Sequence, residues 1–424
     1  MDFAGSRYYR INQIVFTCLG LWQCHKRTKY IQCILLSPFL FSGIIFQLSS
    51  LITNGYSVDY LFQFLSVTNL NMYCVHTYFH IFCNGDKIME FIKQVRYDWN
   101  SMKEEEELEI MHKNGSIGRR FTLFWMILMY IMILLFTMTF FSSEILNIVM
   151  PLNESRQSRQ LPSEMEYFID QEKYRCFLIV YLFLISVVCT TTLASIETFY
   201  MIYIQHTCAM FQITSYRIER MVNKNQINLL VSSGQFNNFE SIAEAVDSHR
   251  RAFKHIDIYL SIFGPIYCVA IPMGVTSLSV NLYRLSGFAL ARNLSNTTAS
   301  ILYIVGHFCY MFIGNHMGQK VINNSNNIFE KICSSRWYSI PLYMQKQLLL
   351  MMHRSMKTST LLVGGIFVPS YKGFATVKLA IAHGAYPKFL FSYLQEIYVL
   401  LQLTNMSLSY FMVLYSTRKV TTEV

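Results

Sequence analysis

Residues 176–203 read CFLIVYLFLISVVCTTTLASIETFYMIY, a mostly apolar run whose one charged residue is Glu197. A helix crosses the hydrocarbon of a bilayer in about 20 such residues, so this stretch is a membrane span with residues to spare. Working outward, six more stretches qualify, roughly 31–52, 59–83, 121–143, 258–283, 299–318 and 397–416. The last is the least sharply bounded, because apolar residues run from 359 to 376, pause at 383–388 and then resume. Charged residues make up only 14% of the 424-residue chain and hydrophobic ones 53%, where a soluble domain carries roughly 25% charged residues. This composition excludes soluble domains, a disordered or collagen-like chain and a disulfide-stapled secreted module. The expected fold class is an all-α membrane protein with seven transmembrane helices.

Sidedness follows from the basic residues, which concentrate on cytoplasmic connections. The segment before the first span carries Arg7, Arg10, Lys26, Arg27 and Lys29 and no long apolar run, so it does not read as a cleavable signal peptide. Together with the connections between spans 2–3, 4–5 and 6–7 it holds 24 Lys and Arg, against seven on the other side. The N-terminus is therefore expected in the cytoplasm and the C-terminus outside. The net charge of +10 then concerns the cytoplasmic face and calls for no nucleic acid. Glycosylation sequons at Asn153, Asn293 and Asn296 fall in expected outer loops, whereas Asn114 and Asn323 fall in inner ones and Asn405 in the last span. The eleven cysteines form no CxxC pair and mostly sit in apolar runs, where Cys acts as a small hydrophobe.

Enzyme signatures are sparse. His76 and His80 stand at i and i+4 on span 2, but no second histidine box accompanies them. There is also no HExxH, GxSxG or glycine-rich phosphate loop, and no cofactor or metal is called for. The same histidines belong to a polar stripe, Ser66, Asn69, Tyr73, His76 and His80, on one face of the span. Such a stripe suits either a ligand cavity or hydrogen bonds to neighbouring helices. Tyr303, His307 and Tyr310 make a second face on span 6, suited equally to a mostly apolar ligand or to helix packing. Behind Pro341, residues 341–358 place Leu342, Met344, Leu348, Leu349 and Met352 at helical spacing. The last span mixes Gln402, Thr404, Asn405 and Ser409 with an aliphatic patch at Val413 and Leu414. That mixture fits a pore lining with a hydrophobic constriction or a buried bundle helix.

The C-terminal third carries a more specific pattern. Gly318-Gln319, Ser325, Ile328-Phe329, Trp337-Tyr338, Pro341, Gln345-Lys346 and the closing run Ser409-Tyr410-Phe411-Met412-Val413-Leu414 resemble the insect odorant receptors. That family's members are odorant-gated, nonselective cation channels. They work as heterotetramers with a shared co-receptor, in the plasma membrane of olfactory sensory neurons. The resemblance implies two parts. Residues 1–340 would hold spans 1–6 with cytoplasmic extensions. Residues 341–424 would form a split span 7, with an anchor part at 341–358 and a pore-lining part at about 397–416. Trp337, Tyr338 and Pro341 would belong to the cytoplasmic anchor and its interface. Val413 would stand at the gate, with Thr417 one turn beyond. The region of Tyr60, Phe64, Tyr303, His307 and Tyr310 would line a pocket for a small volatile organic ligand. Membrane lipid and the co-receptor are the other implied partners.

The connection between spans 4 and 5 is about 50 residues, shorter than the co-receptor's, which points to an odour-tuning subunit. One departure is the stretch from Val377 to about Val399, which separates two parts that such receptors join closely. It reads as an insertion outside the core fold or as a gene-model artefact. Two alternatives remain beside this reading. A gustatory receptor shares the fold but ends in a Thr-Tyr…Gln-Phe pattern, which is lacking here. A G-protein-coupled receptor places its N-terminus outside, against the charge count.

Overall fold

A computed structural model describes residues 3–22, 26–53, 58–140, 166–170, 173–230, 236–290, 294–357, 359–363 and 367–375. Nine α-helices follow one another within these residues: α1 (Ser6–Cys18), α2 (Lys26–Thr53), α3 (Val58–Cys83), α4 (Gly85–Ser101), α5 (Glu105–Phe140), α6 (Arg175–Leu230), α7 (Phe236–Leu290), α8 (Leu294–Ser334) and α9 (Leu342–Met356). A 3-10 turn, Trp337–Ser339, precedes α9. Among the described residues the only β-type pairing is one bridge between Val363 and Phe367. The expected last span, with Val413 and Thr417, lies outside the described residues, as do Asn153 and Asn293.

Helix length sets the architecture. The helices α6, α7 and α8 hold 56, 55 and 41 residues. At 1.5 Å per residue the longest measures about 84 Å, against a hydrocarbon layer of about 30 Å. One helix therefore meets two environments. Near the start of α6, Phe177, Val180 and Leu184 are exposed, which suits lipid. From Ile196 to Val222 most side chains are buried, including Tyr203, Cys208, Met210, Phe211 and Ile213. On α5 the order is reversed: Met111 and Asn114 are buried, while Phe124, Ile127 and Leu135 are exposed. Stretches long and apolar enough to cross a membrane occur within Arg27–Thr53, Glu105–Leu135, Arg175–Asn223 and Ser241–Leu285 among the described residues.

The buried halves pack together into a core that continues the bundle, here called the anchor. Helix α1 packs on α5 and α6, α4 on α7, and α9 on α8 and α7. Gly20 takes a left-handed φ of 70° that ends α1, letting the Leu21 amide donate to the Phe16 carbonyl at 2.8 Å. Phe16 then packs at a tilt against Phe199 with ring centres 4.9 Å apart. Gly318, in α8, touches the Pro369 backbone so closely that a Cβ has no room.

The charged groups at the centre of the anchor are paired. Asp98 is fully buried. Its Oδ2 accepts hydrogen bonds from His206 Nε2 and His255 Nε2, each at 2.8 Å, and its Oδ1 meets Arg251 Nη1 at 2.9 Å. Tyr9 on α1 meets the other ring nitrogen of His206 at 3.1 Å. One carboxylate thus ties α4, α6 and α7 directly and α1 through His206. A second ion pair is bidentate: Arg217 Nε and Nη2 donate to the two Glu107 oxygens at 2.5 and 3.0 Å. A chain of amides links α5, α6 and α8, with Asn114 Nδ2 donating to Gln212 Oε1 at 2.9 Å and Gln212 Nε2 to Asn324 Oδ1 at 2.8 Å.

Burial alone would raise the Asp98 carboxyl, but the hydrogen bonds from His206 and His255 outweigh it. They hold the group well below the usual carboxylate range. Burial lowers His206 from its ordinary value despite Asp98, and pushes His249 down to about 4 with help from Arg354. Both histidines take up protons more readily in the unfolded chain. Folding therefore loses stability as pH falls below about 6.5, well before Asp98 titrates. The apparent Tm of the purified protein should fall between pH 7.5 and 5, and His249→Gln should flatten the fall; a Tm that rises on acidification would contradict this. Asp98→Ala should destabilise by about 3–5 kcal/mol, because it strands Arg251 and two histidines in a buried site. Thermal unfolding with the variant beside the parent reads the difference.

Candidate functional site

Apolar helices can hold polar groups only where another group answers them. The stripe on α3 shows how this is met. Asn69 Nδ2 donates to Thr276 Oγ1 on α7 at 3.0 Å, and His80 Nε2 donates to the Ile262 carbonyl at 2.9 Å. The second contact has a local cause. Pro265 has no N–H to give to the Ser261 carbonyl, and the backbone there is open to side chains. Lys87 Nζ donates to that Ser261 oxygen at 3.2 Å, one residue from the His80 bond. His76 is different: its Nε2 is buried with no hydrogen-bond partner. The HxxxH pair serves helix packing at one of its members and does not converge on a ligand set.

Tyr73 reaches the centre of the bundle. Its hydroxyl donates to Glu197 Oε1 on α6 at 3.3 Å, and Tyr310 on α8 donates to the same oxygen at 2.9 Å. The two hydroxyls lie 3.3 Å apart. Three helices therefore meet at one carboxyl, about 33 Å along α6 from its first residue at 1.5 Å per residue. That depth is the far edge of a hydrocarbon layer, where the lipid-exposed part of α6 gives way to the buried anchor.

The other expected ligand residues are distributed around this point. Tyr60 is half-buried and its hydroxyl meets Ser50 on α2. Phe64 is buried, and Tyr303 is exposed. His307 is half-buried, with Nδ1 3.2 Å from the Tyr303 carbonyl. Tyr310 is thus brought together with Tyr73 and Glu197, while Tyr60 faces α2 and Tyr303 the rim of the bundle. Trp337 packs partly buried against the anchor core and Tyr338 is exposed. Pro341 caps α9, its carbonyl accepting from the Met344 amide at 2.9 Å. Asn296 lies in α8.

Glu197 was visible in the sequence as a lone acid, and Tyr73 as one member of a stripe. Their meeting with Tyr310 was not, because the three are joined only by the packing of long helices. The single group of described residues with metal-like spacing is Asp98, His206 and His255. Its donors are already closed on one another by hydrogen bonds, and Arg251 balances the carboxylate, so it reads as an ion network. Two hollows of about 360 Å³ also lie on the anchor, lined by charged residues such as Lys93, Arg251 and Lys254 in one and Lys103, Glu244 and Asp247 in the other. Their charged walls differ from the mostly apolar lining of small-molecule sites.

An apolar bundle with a polar centre, continued by its own helices into a packed anchor, defines a polytopic membrane-protein architecture. Residues 57–381, well over half of the chain, match the family described as 7tm Odorant receptor, and the chain belongs to that family. Its fold is similar to that of the insect olfactory receptor OR5 from Machilis hrabei in complex with eugenol. The TM-score is 0.67 at 12% identity, covering 97% of each chain. A second structure of that receptor matches with TM-score 0.64 at 11% identity, covering 96% of this chain and 97% of the other. At such identities the likeness is one of fold. No curated protein matches the chain.

Replacing Tyr310 by Phe removes the shorter bond to Glu197 and leaves the acid with one long one. The cost should be about 1–3 kcal/mol, read as a lowered apparent Tm in detergent. Tyr73→Phe, which loses the longer bond, should cost less. A Tyr310→Phe protein as stable as the parent would show that the three-helix contact does not form.

Proposed function

We propose that the chain is the odour-tuning subunit of an odorant-gated, nonselective cation channel in the plasma membrane of olfactory sensory neurons. It would work with a co-receptor subunit as a hetero-oligomer and bind a small volatile organic ligand within the helical bundle. The observation that carries this reading is the family match together with a polar centre enclosed by apolar helices. The similar receptor OR5 is described in complex with eugenol, a small volatile. The connection of about 50 residues between spans 4 and 5, shorter than the co-receptor's, supports a tuning subunit.

In this reading the anchor lies in the cytoplasm, where its Lys and Arg match the charge rule. Ligand in the bundle would bear on α6 and α8. Both helices run on without interruption into the anchor, so a shift at Tyr310 is passed to it by a continuous helix. Trp337, Tyr338 and Pro341 would shape the subunit interface. Val413 would form the hydrophobic constriction of the pore and Thr417 the next turn, while Asn153, Asn293 and Asn296 would be outer glycosylation sites.

Whole-cell recording from cells that express this chain with a co-receptor tests the reading. A panel of volatiles should evoke a cation current that persists when GTP is withheld. A response that requires GTP would point to a G-protein-coupled receptor and contradict the channel. Changing Val413 to Asn should raise the resting current, because a wetter constriction conducts more readily; an unchanged resting current would remove Val413 from the gate.

A further inference from the structure

Glu197 is an ionisable group inside an apolar helix, where such residues mark functional sites. Its two hydrogen-bond donors, Tyr310 and Tyr73, are uncharged and share a single oxygen, Oε1. Among the described residues no Lys, Arg or His pairs with it. Its other oxygen, Oε2, has no hydrogen bond among the described residues, and the side chain is only half-buried. A carboxylate in low dielectric without a counter-charge is costly, and here the two tyrosines answer only one of its oxygens.

The helix opposite has the matching shape. Gly306, Tyr310 and Gly314 recur at four-residue steps and share one face of α8. The bond from Tyr310 shows that this face turns toward Glu197, and a Cβ on either glycine would meet nothing within 4 Å. Tyr303 and His307 continue the face for about 10 Å along the helix. An acid thus lies at one end of an open strip whose other end is walled by aromatic rings.

We infer that this strip binds a protonated primary amine with a short apolar chain, the ammonium pairing with Glu197 Oε2 and the chain lying along His307 and Tyr303. This rests on the ligand-binding reading above and narrows it to a chemical class. An ammonium brings both the missing positive charge and N–H donors to Oε2, and such charge-assisted bonds are short and strong. An alcohol brings one donor and no charge. A carbonyl compound brings only an acceptor, which would suit Glu197 solely as a neutral acid. A site built around one polar group discriminates strongly against analogues that lack its partner.

The test uses the purified full-length chain in detergent, with hexylamine, hexanol and hexanal as probes and ligand-dependent thermal stabilisation as the readout. Hexylamine should bind at least tenfold more tightly than hexanol or hexanal. Glu197→Gln keeps a carbonyl oxygen for both tyrosines, so the ligand-free protein should unfold near the parent temperature. Its affinity for hexylamine should fall at least tenfold while that for hexanol holds. Tyr73→Phe, which keeps the acid, should retain the preference for the amine. Equal binding of hexylamine and hexanol to the parent, or unchanged hexylamine binding to Glu197→Gln, would overturn the inference and leave the bundle as a ligand site. A preference for hexanal would assign a neutral acid and overturn it likewise. If none of the three binds, both the inference and the bundle reading fall.

Discussion

A carboxylate removed from water must be answered by cations or hydrogen-bond donors, and Asp98 imposes that demand on the whole anchor. Two imidazoles and a guanidinium answer it, from α6 and α7, and Tyr9 steadies one imidazole from α1. The partners stand more than 100 residues away along the chain. Only one mutual arrangement of α1, α4, α6 and α7 satisfies all of them. The apolar packing around this point, with Phe91 against Tyr203 at 3.6 Å between ring centres, is compatible with many small slips. The ion network is not, since a buried charge tolerates little loss of its partners.

That requirement explains the division of labour along the long helices. One end of each meets lipid and is mostly apolar. The other end, the later part of α6 and α8 and the earlier part of α5 and α7, builds a core without lipid, and there the sequence turns to buried amides, histidines and paired ions. Lys320 Nζ donating to Gln205 Oε1 at 2.5 Å and the Asn114–Gln212–Asn324 chain are the same device repeated between α5, α6 and α8. Glu197 stands where the two regimes meet. It is close enough to the anchor to be held by tyrosines and still within the length of a membrane span. A ligand there would act on helices that are anchored rigidly below it.

The parts legible in the sequence were those encoded over short distances. Apolar run length marked the helices now seen as α2, α3, α5, α6, α7 and α8, and the residues behind Pro341 marked α9. Periodicity placed Asn69, Tyr73, His76 and His80 on one face of α3. What those residues touch was not legible, because a stripe is equally suited to a ligand or a neighbour. The structure gives His80 to a carbonyl beside Pro265 and Tyr73 to Glu197, and leaves His76 Nε2 without a partner. The Asp98 network left no trace at all in spacing. Asp98, His206 and His255 sit in three separate amphipathic or apolar stretches and meet only through the tertiary path of three helices.

The orientation of the chain decides whether this anchor is a cytoplasmic domain, and an epitope at the N-terminus measures it most directly. Staining should appear only after the plasma membrane is permeabilised, which places α1, Tyr9 and the Asp98 network inside the cell. Staining of intact cells would put the anchor outside, reverse the charge asymmetry and contradict the account.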